Sequence, residues 1–102
     1  MAKLVVIYGT PVDAQAFERY YFETHVPLAK QIPGLRRYEV SRGPVQAAAG
    51  GPAPHLIAAL EFDDMAAIEA AFASEEGQRA AADVQSFATG GARMLMFETN
   101  EV

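Results

Sequence analysis

Leu4-Val5-Val6-Ile7-Tyr8 is apolar at every position and largely β-branched, with no alternation of apolar and polar side chains. Such a run predicts a strand covered on both faces, because a half-solvated strand alternates. Gly9-Thr10-Pro11 ends it. From Asp13 the spacing becomes helical: Phe17, Tyr21, Leu28 and Ile32 recur about one turn or a multiple of it apart, with His25 on the same stripe. Pro27 interrupts this helix. The chain can restart with Thr24 as N-cap, which places Pro27 in a first turn where no amide donor is needed, or it can continue through a kink. Both solutions make the backbone around His25 irregular.

Ile32-Pro33-Gly34 stops the helix, and Leu35 to Arg42 reads as a second strand with Tyr38 and Val40 on one face. Gly43 to Pro54 is a Gly/Pro/Ala loop without core-forming side chains, expected to be mobile. His55 to Phe62 is a third strand. Asp63-Asp64 caps a helix with Met65, Ile68 and Phe72 on its apolar face. Ser74-Glu75-Glu76-Gly77 marks a break and a new cap, with a short helix running on towards Val84. After Gly90-Gly91, Arg93 to Thr99 is a final strand.

Strand, helix, strand, strand, helix, strand is the order of a split βαβ, so the chain is expected to be one α+β domain over 1–102: a ferredoxin-like βαββαβ with a four-stranded antiparallel sheet. Such a sheet carries its helices on one face and leaves the other open. Here Val5 and Ile7 oppose Leu4, Val6 and Tyr8, and Leu95 and Phe97 oppose Met94 and Met96. Apolar residues on the open face predict a homodimer that packs sheet against sheet.

Composition narrows the function classes. The 102 residues carry 8 basic and 13 acidic side chains, a net charge of -5. Phosphate recognition draws its affinity from a basic surface, so no nucleic-acid partner is expected. There is no cysteine, which removes disulfides, thiolate metal sites and a cysteine nucleophile. Two histidines alone cannot make a three-histidine centre, and neither a metal nor another cofactor is expected. The short apolar run after Met1-Ala2-Lys3 is neither a secretory signal nor a span, so no membrane partner and a cytoplasmic location are expected.

The candidate chemistry centres on His25, in Tyr20-Tyr21-Phe22-Glu23-Thr24-His25-Val26-Pro27-Leu28. An imidazole beside aromatic walls can act as general acid or base at neutral pH, or can hydrogen-bond a carbonyl at the helix break. Asp83 stands near the end of the second helix, poorly placed for the helix dipole. It can orient His25 through one ring nitrogen, or serve as a cap or solvated turn residue. Tyr21 lies on the apolar stripe, whereas Tyr20 is offset by about 100° and can aim its hydroxyl elsewhere. His55 reads as a surface histidine, Arg36-Arg37 as a solvated strand end, and Met94 and Met96 as core or dimer interface rather than ligand pocket. Gly50-Gly51 lacks the Lys-Ser/Thr of a phosphate loop, and Asp63-Asp64 and Glu75-Glu76 read as helix-start charges.

The Tyr20-Tyr21-x-x-x-His25-x-Pro27-Leu28 segment, with Ile32-Pro33-Gly34-Leu35, Phe72-Ala73-Ser74-Glu75-Glu76-Gly77 and Asp83-Val84-Gln85-Ser86-Phe87, resembles the EthD family over essentially the whole chain. The resemblance implies the dimeric α/β barrel superfamily, with a cavity between sheet and helices in each subunit. That superfamily includes cofactor-free monooxygenases, polyketide cyclases, decarboxylases, haem-degrading enzymes and binding proteins. His25 and Asp83 match the family's histidine and aspartate. A shared fold does not decide the chemistry.

The expectation that follows is an oxidoreductase, or an auxiliary to an oxygenase, in oxidative catabolism of a small apolar oxygenated or aromatic compound such as an ether. In it His25 shuttles a proton, Asp83 orients it, and Tyr20, Tyr21, Phe22 and Phe87 contact the substrate. A non-catalytic dimeric carrier or partner-stabilising protein is the alternative. A cofactor-free lyase or cyclase of polyketide-like aromatics, and haem binding through His25, are lesser ones.

Overall fold

The computed structural model describes all 102 residues. The elements are β1 (Ala2–Tyr8), α1 (Ala14–Tyr20), a π-helical turn (Tyr21–His25), α2 (Val26–Ala29), β2 (Arg37–Val40), β3 (Leu56–Phe62), α3 (Met65–Ala73), α4 (Glu75–Asp83), a 3₁₀ turn (Val84–Ser86) and β4 (Ala92–Glu98). The strands form one antiparallel sheet in the order β2-β3-β1-β4, the ferredoxin-like α+β arrangement. β1 lies inside the sheet between β3 and β4, its helix-side face buried and its other face only partly covered. The second strand is shorter than Leu35 to Arg42, and Gly43 to Pro54 carries neither helix nor strand.

One face of the sheet bears the helices. Ala2, Leu4, Val6 and Tyr8 of β1 and Leu56, Ala58, Leu60 and Phe62 of β3 are all buried beneath them. The other face has no cover within the chain. There Val5 lies between Ala59 and Leu95, Ile7 between Ile57 and Arg93, and Lys3 between Glu61 and Phe97. Every residue of edge strand β4 is exposed, including Leu95 and Phe97 on the open face and Met94 and Met96 on the helix side.

Side chains cap three helix starts, two of them, at Asp64 and Ser74, where the sequence places a cap. Asp13 Oδ1 accepts from the Ala16 amide, Asp64 Oδ1 from the Ala67 amide, and Ser74 Oγ from the Gly77 amide. Ser74 lets α3 end and α4 begin at one residue. The corner is tight: a Cβ on Gly77 would overlap the Ala71 carbonyl oxygen and sit 2.8 Å from Phe72 Cα.

Around Pro27 the structure adopts the continuous solution, and Thr24 caps nothing. The backbone stays helical through Tyr21–His25 but widens, with the Val26 amide reaching back five residues to the Tyr21 carbonyl. The wide turn ends immediately before Pro27, whose ring would crowd the carbonyl of Glu23 in a regular helix. It also shifts the phase of the stripe. Phe17, Tyr21 and His25 are buried as their spacing predicts, but the next buried position is Ala29 rather than Leu28.

Candidate functional site

The π turn brings two side chains to one carboxylate. Tyr20 and His25 are five residues apart, which on a regular α-helix points them about 140° apart. Here the Tyr20 hydroxyl donates to Asp83 Oδ1 at 2.6 Å, and His25 Nδ1 lies 3.0 Å from Asp83 Oδ2. Asp83 is the last residue of α4, where the helix dipole disfavours an anion. The two donors hold it there. Both side chains of the histidine–aspartate pair are largely enclosed, 7% and 12% exposed.

With Nδ1–H given to Asp83, the neutral ring carries its lone pair on Nε2. Nε2 has no protein partner, and His25 lines a cavity of about 290 Å³ between sheet and helices. The floor is Leu4, Val6 and Tyr8 of β1, Ala58 and Leu60 of β3, and Met94 and Met96 of β4. The roof includes Tyr21, His25, Ala29, Ile68, Phe72, Ala80 and Val84. Glu69, Met94 and Met96 are lining residues that also face solvent, which puts the mouth on the β4 side.

Three tyrosines, Tyr8, Tyr21 and Tyr38, line this cavity. The hydroxyls of Tyr21 and Tyr38 lie 2.7 Å apart and bond each other. The Tyr8 hydroxyl has no protein partner. Burial pushes the phenol of Tyr8 well above its usual range, and nearby Tyr38 and Asp83 add to the effect. Burial does the same for Tyr21, aided by Tyr38, and for Tyr38. Tyr20 is raised chiefly by its bond to the Asp83 carboxylate.

The sequence candidates therefore separate. His25 and Tyr21 reach the cavity, and Asp83 stands behind His25. Tyr20 is not on the wall; it fixes Asp83 from outside. Phe87 is buried against the His25 ring, centroids 4.7 Å apart, and supports that ring rather than lining the cavity. Phe22 faces solvent, 46% exposed, because the turn that carries Tyr21 and His25 inward carries Phe22 outward. Met94 and Met96, expected as core or interface, form part of the cavity wall. His55 bonds Glu18 at 3.2 Å and packs edge-on against Phe17, while Arg36 makes a two-point pair with Asp63.

Sequence reading missed Tyr8 and Tyr38 as site residues. The available signal was alternation: Tyr8 shares its face with Leu4 and Val6, and so shares the helix-covered side with the cavity. No group of three His, Asp or Glu side chains clusters as a metal site, and no helix is long and apolar enough to cross a membrane.

Fold and site define the class first: a ferredoxin-like domain with an apolar cavity under its helices and one buried imidazole on the wall. The particular family is equally plain. The EthD domain matches residues 10–91, and the chain belongs to the EthD family. An uncharacterized 11.0 kDa protein from the thcB-thcC intergenic region of Rhodococcus erythropolis is 40% identical, covering 100% of this chain and 98% of that one. The crystal structure of an EthD family protein from Bacillus halodurans is 33% identical with a TM-score of 0.88, covering 98% and 99% of the two chains. A dimeric ferredoxin-like protein of unknown function from Thermobifida fusca, 13% identical with a TM-score of 0.70 over 96% and 90%, shares the architecture.

Proposed function

We propose that the chain works as a homodimer, closed through its open sheet face, and transfers a proton to or from a small aromatic or oxygenated apolar molecule in oxidative catabolism. The observation that carries this reading is the two-ended engagement of His25. Nδ1 is held by Asp83, and Nε2 faces a cavity lined mostly by apolar side chains. Nε2 takes an acidic C–H or O–H proton, Asp83 balances the imidazolium that forms, and Tyr20 keeps the carboxylate in place. The electron pair remains on the ligand, ready for reaction with oxygen, handover to a partner oxygenase, or elimination. General acid–base help of this kind is worth roughly 10²–10⁴ in rate. The dimer is supported by the exposed Leu95 and Phe97 beside Val5 and Ile7, and by the dimeric state of the Thermobifida fusca protein.

A carrier is the second reading, favoured by one observation: apart from His25 and Glu69, every lining residue is of a hydrophobic type. A thermal-shift screen of small aromatic and oxygenated compounds on wild type and His25→Gln separates the two. The first reading expects a ligand that stabilises both proteins but turns over only on wild type. Equal turnover by a folded, dimeric His25→Gln would refute it.

A further inference from the structure

Of the three tyrosine hydroxyls at the cavity wall, that of Tyr8 is the one the fold does not use. Tyr8 is 1% exposed, yet no interior side-chain nitrogen or oxygen is both sealed and unpaired. Its hydroxyl has no protein partner, and the residue lines the cavity. The hydroxyl therefore opens on that space. A phenylalanine would fill the same place, making the same edge contacts to Phe17 and Tyr21 at 5.5 and 5.6 Å, without desolvating a polar group. A buried hydroxyl that contributes nothing to folding calls for a partner from outside.

The Tyr21–Tyr38 pair offers a second donor. One hydroxyl donates across the 2.7 Å bond, which leaves the acceptor's own proton unspent. Beside His25 Nε2, an acceptor, and the Glu69 carboxylate at the mouth, the wall thus carries two O–H donors.

We infer that Tyr8, assisted by the Tyr21–Tyr38 pair, is the donor that binds a ligand oxygen bearing negative charge, so that the cavity selects phenols and enolisable ketones over hydrocarbons of the same shape. This rests on the proton-transfer reading above and names its substrate class. The step balances without an oxidant. The O–H or α-C–H bond of the ligand breaks, its proton goes to Nε2, and its electron pair settles on the phenolate or enolate oxygen, where Tyr8 donates while staying protonated. Reversal returns the proton to the oxygen, or to the same or a conjugated carbon. Burial keeps the Tyr8 phenol in its donor form throughout the neutral range.

The test uses the purified full chain with 4-nitrophenol, whose phenolate absorbs in the visible, and 4-nitrotoluene as the hydroxyl-free control. Wild type is expected to bind 4-nitrophenol with growth of the phenolate band. Tyr8→Phe, folded and melting no lower than wild type, is expected to bind it about tenfold more weakly with a diminished band, as loss of a hydrogen bond to a charged acceptor requires. Both proteins should bind 4-nitrotoluene alike. Full binding and a full band in Tyr8→Phe, or no binding by wild type, overturns the inference. Loss of the band in His25→Gln with Tyr8→Phe unchanged would leave proton transfer standing and remove Tyr8. A Tyr8-dependent band that survives in His25→Gln would remove proton transfer instead.

Discussion

Asp83→Ala is the most informative single perturbation of the His25 environment. Asp83 accepts from His25 Nδ1 at 3.0 Å and from the Tyr20 hydroxyl at 2.6 Å. Alanine leaves the Nδ1–H, on a side chain only 7% exposed, without an acceptor, at about 1–3 kcal/mol. Tyr20 is half-buried and can turn to water, so its share is smaller, about 0.5–1 kcal/mol. The sum is roughly 1.5–4 kcal/mol, or about 6–20 °C in Tm for a chain of this size. Calorimetry at one fixed protein concentration reads it, since dimer dissociation would otherwise move Tm. Tyr20→Phe is the internal control, with a loss of about 1 kcal/mol. A double-mutant cycle with His25→Ala should give a coupling of about 1 kcal/mol or more. An Asp83→Ala protein within about 0.5 kcal/mol of wild type, or a cycle that is additive, would refute a mutually supporting His25–Asp83 pair.

Further outcomes follow from other parts of the fold. Tyr21→Phe should lose about 1–2 kcal/mol by orphaning the Tyr38 hydroxyl, whereas Tyr8→Phe should keep or gain stability because its hydroxyl has no protein partner; chemical denaturation compares them. The phenols of Tyr8, Tyr21 and Tyr38 are raised above their ordinary 10.0, so they support the fold fully below about pH 10 and cease to as pH climbs past it. Ultraviolet titration should accordingly show tyrosinate forming later in the native protein than in urea, and coincident curves would contradict the burial. Gly77→Ala should cost about 1–3 kcal/mol by driving α3 and α4 apart at the Ala71 carbonyl, seen as a lower urea midpoint. Phe97→Glu, on the open sheet face, should shift sedimentation from dimer to monomer without loss of helical circular dichroism; an unchanged mass would place the dimer contact elsewhere.

The nature and order of the elements, the helix caps at Asp64 and Ser74, and the excess of apolar residues on the open face follow from local pattern, which is why they are legible in sequence. Each depends on a period of two or 3.6, or on one side chain near its own backbone. Pro27 announced an irregularity at His25 for the same reason. Its form did not follow. Restart, kink and wide turn all satisfy a proline locally, and the contacts of Tyr21 with Tyr8 and of His25 with Asp83 and Phe87, all distant in sequence, accompany the wide turn. The wide turn then settled what faces inward: it turned Tyr20 onto Asp83, moved burial from Leu28 to Ala29, and left Phe22 in solvent. Asp83 meets His25 across 58 positions of sequence, and Tyr21 meets Tyr38 across 17. The unpaired hydroxyl of Tyr8 is still more distant from any local signal. A tyrosine in a strand looks the same whether its hydroxyl has a partner or not, and only the packed cavity shows that it has none.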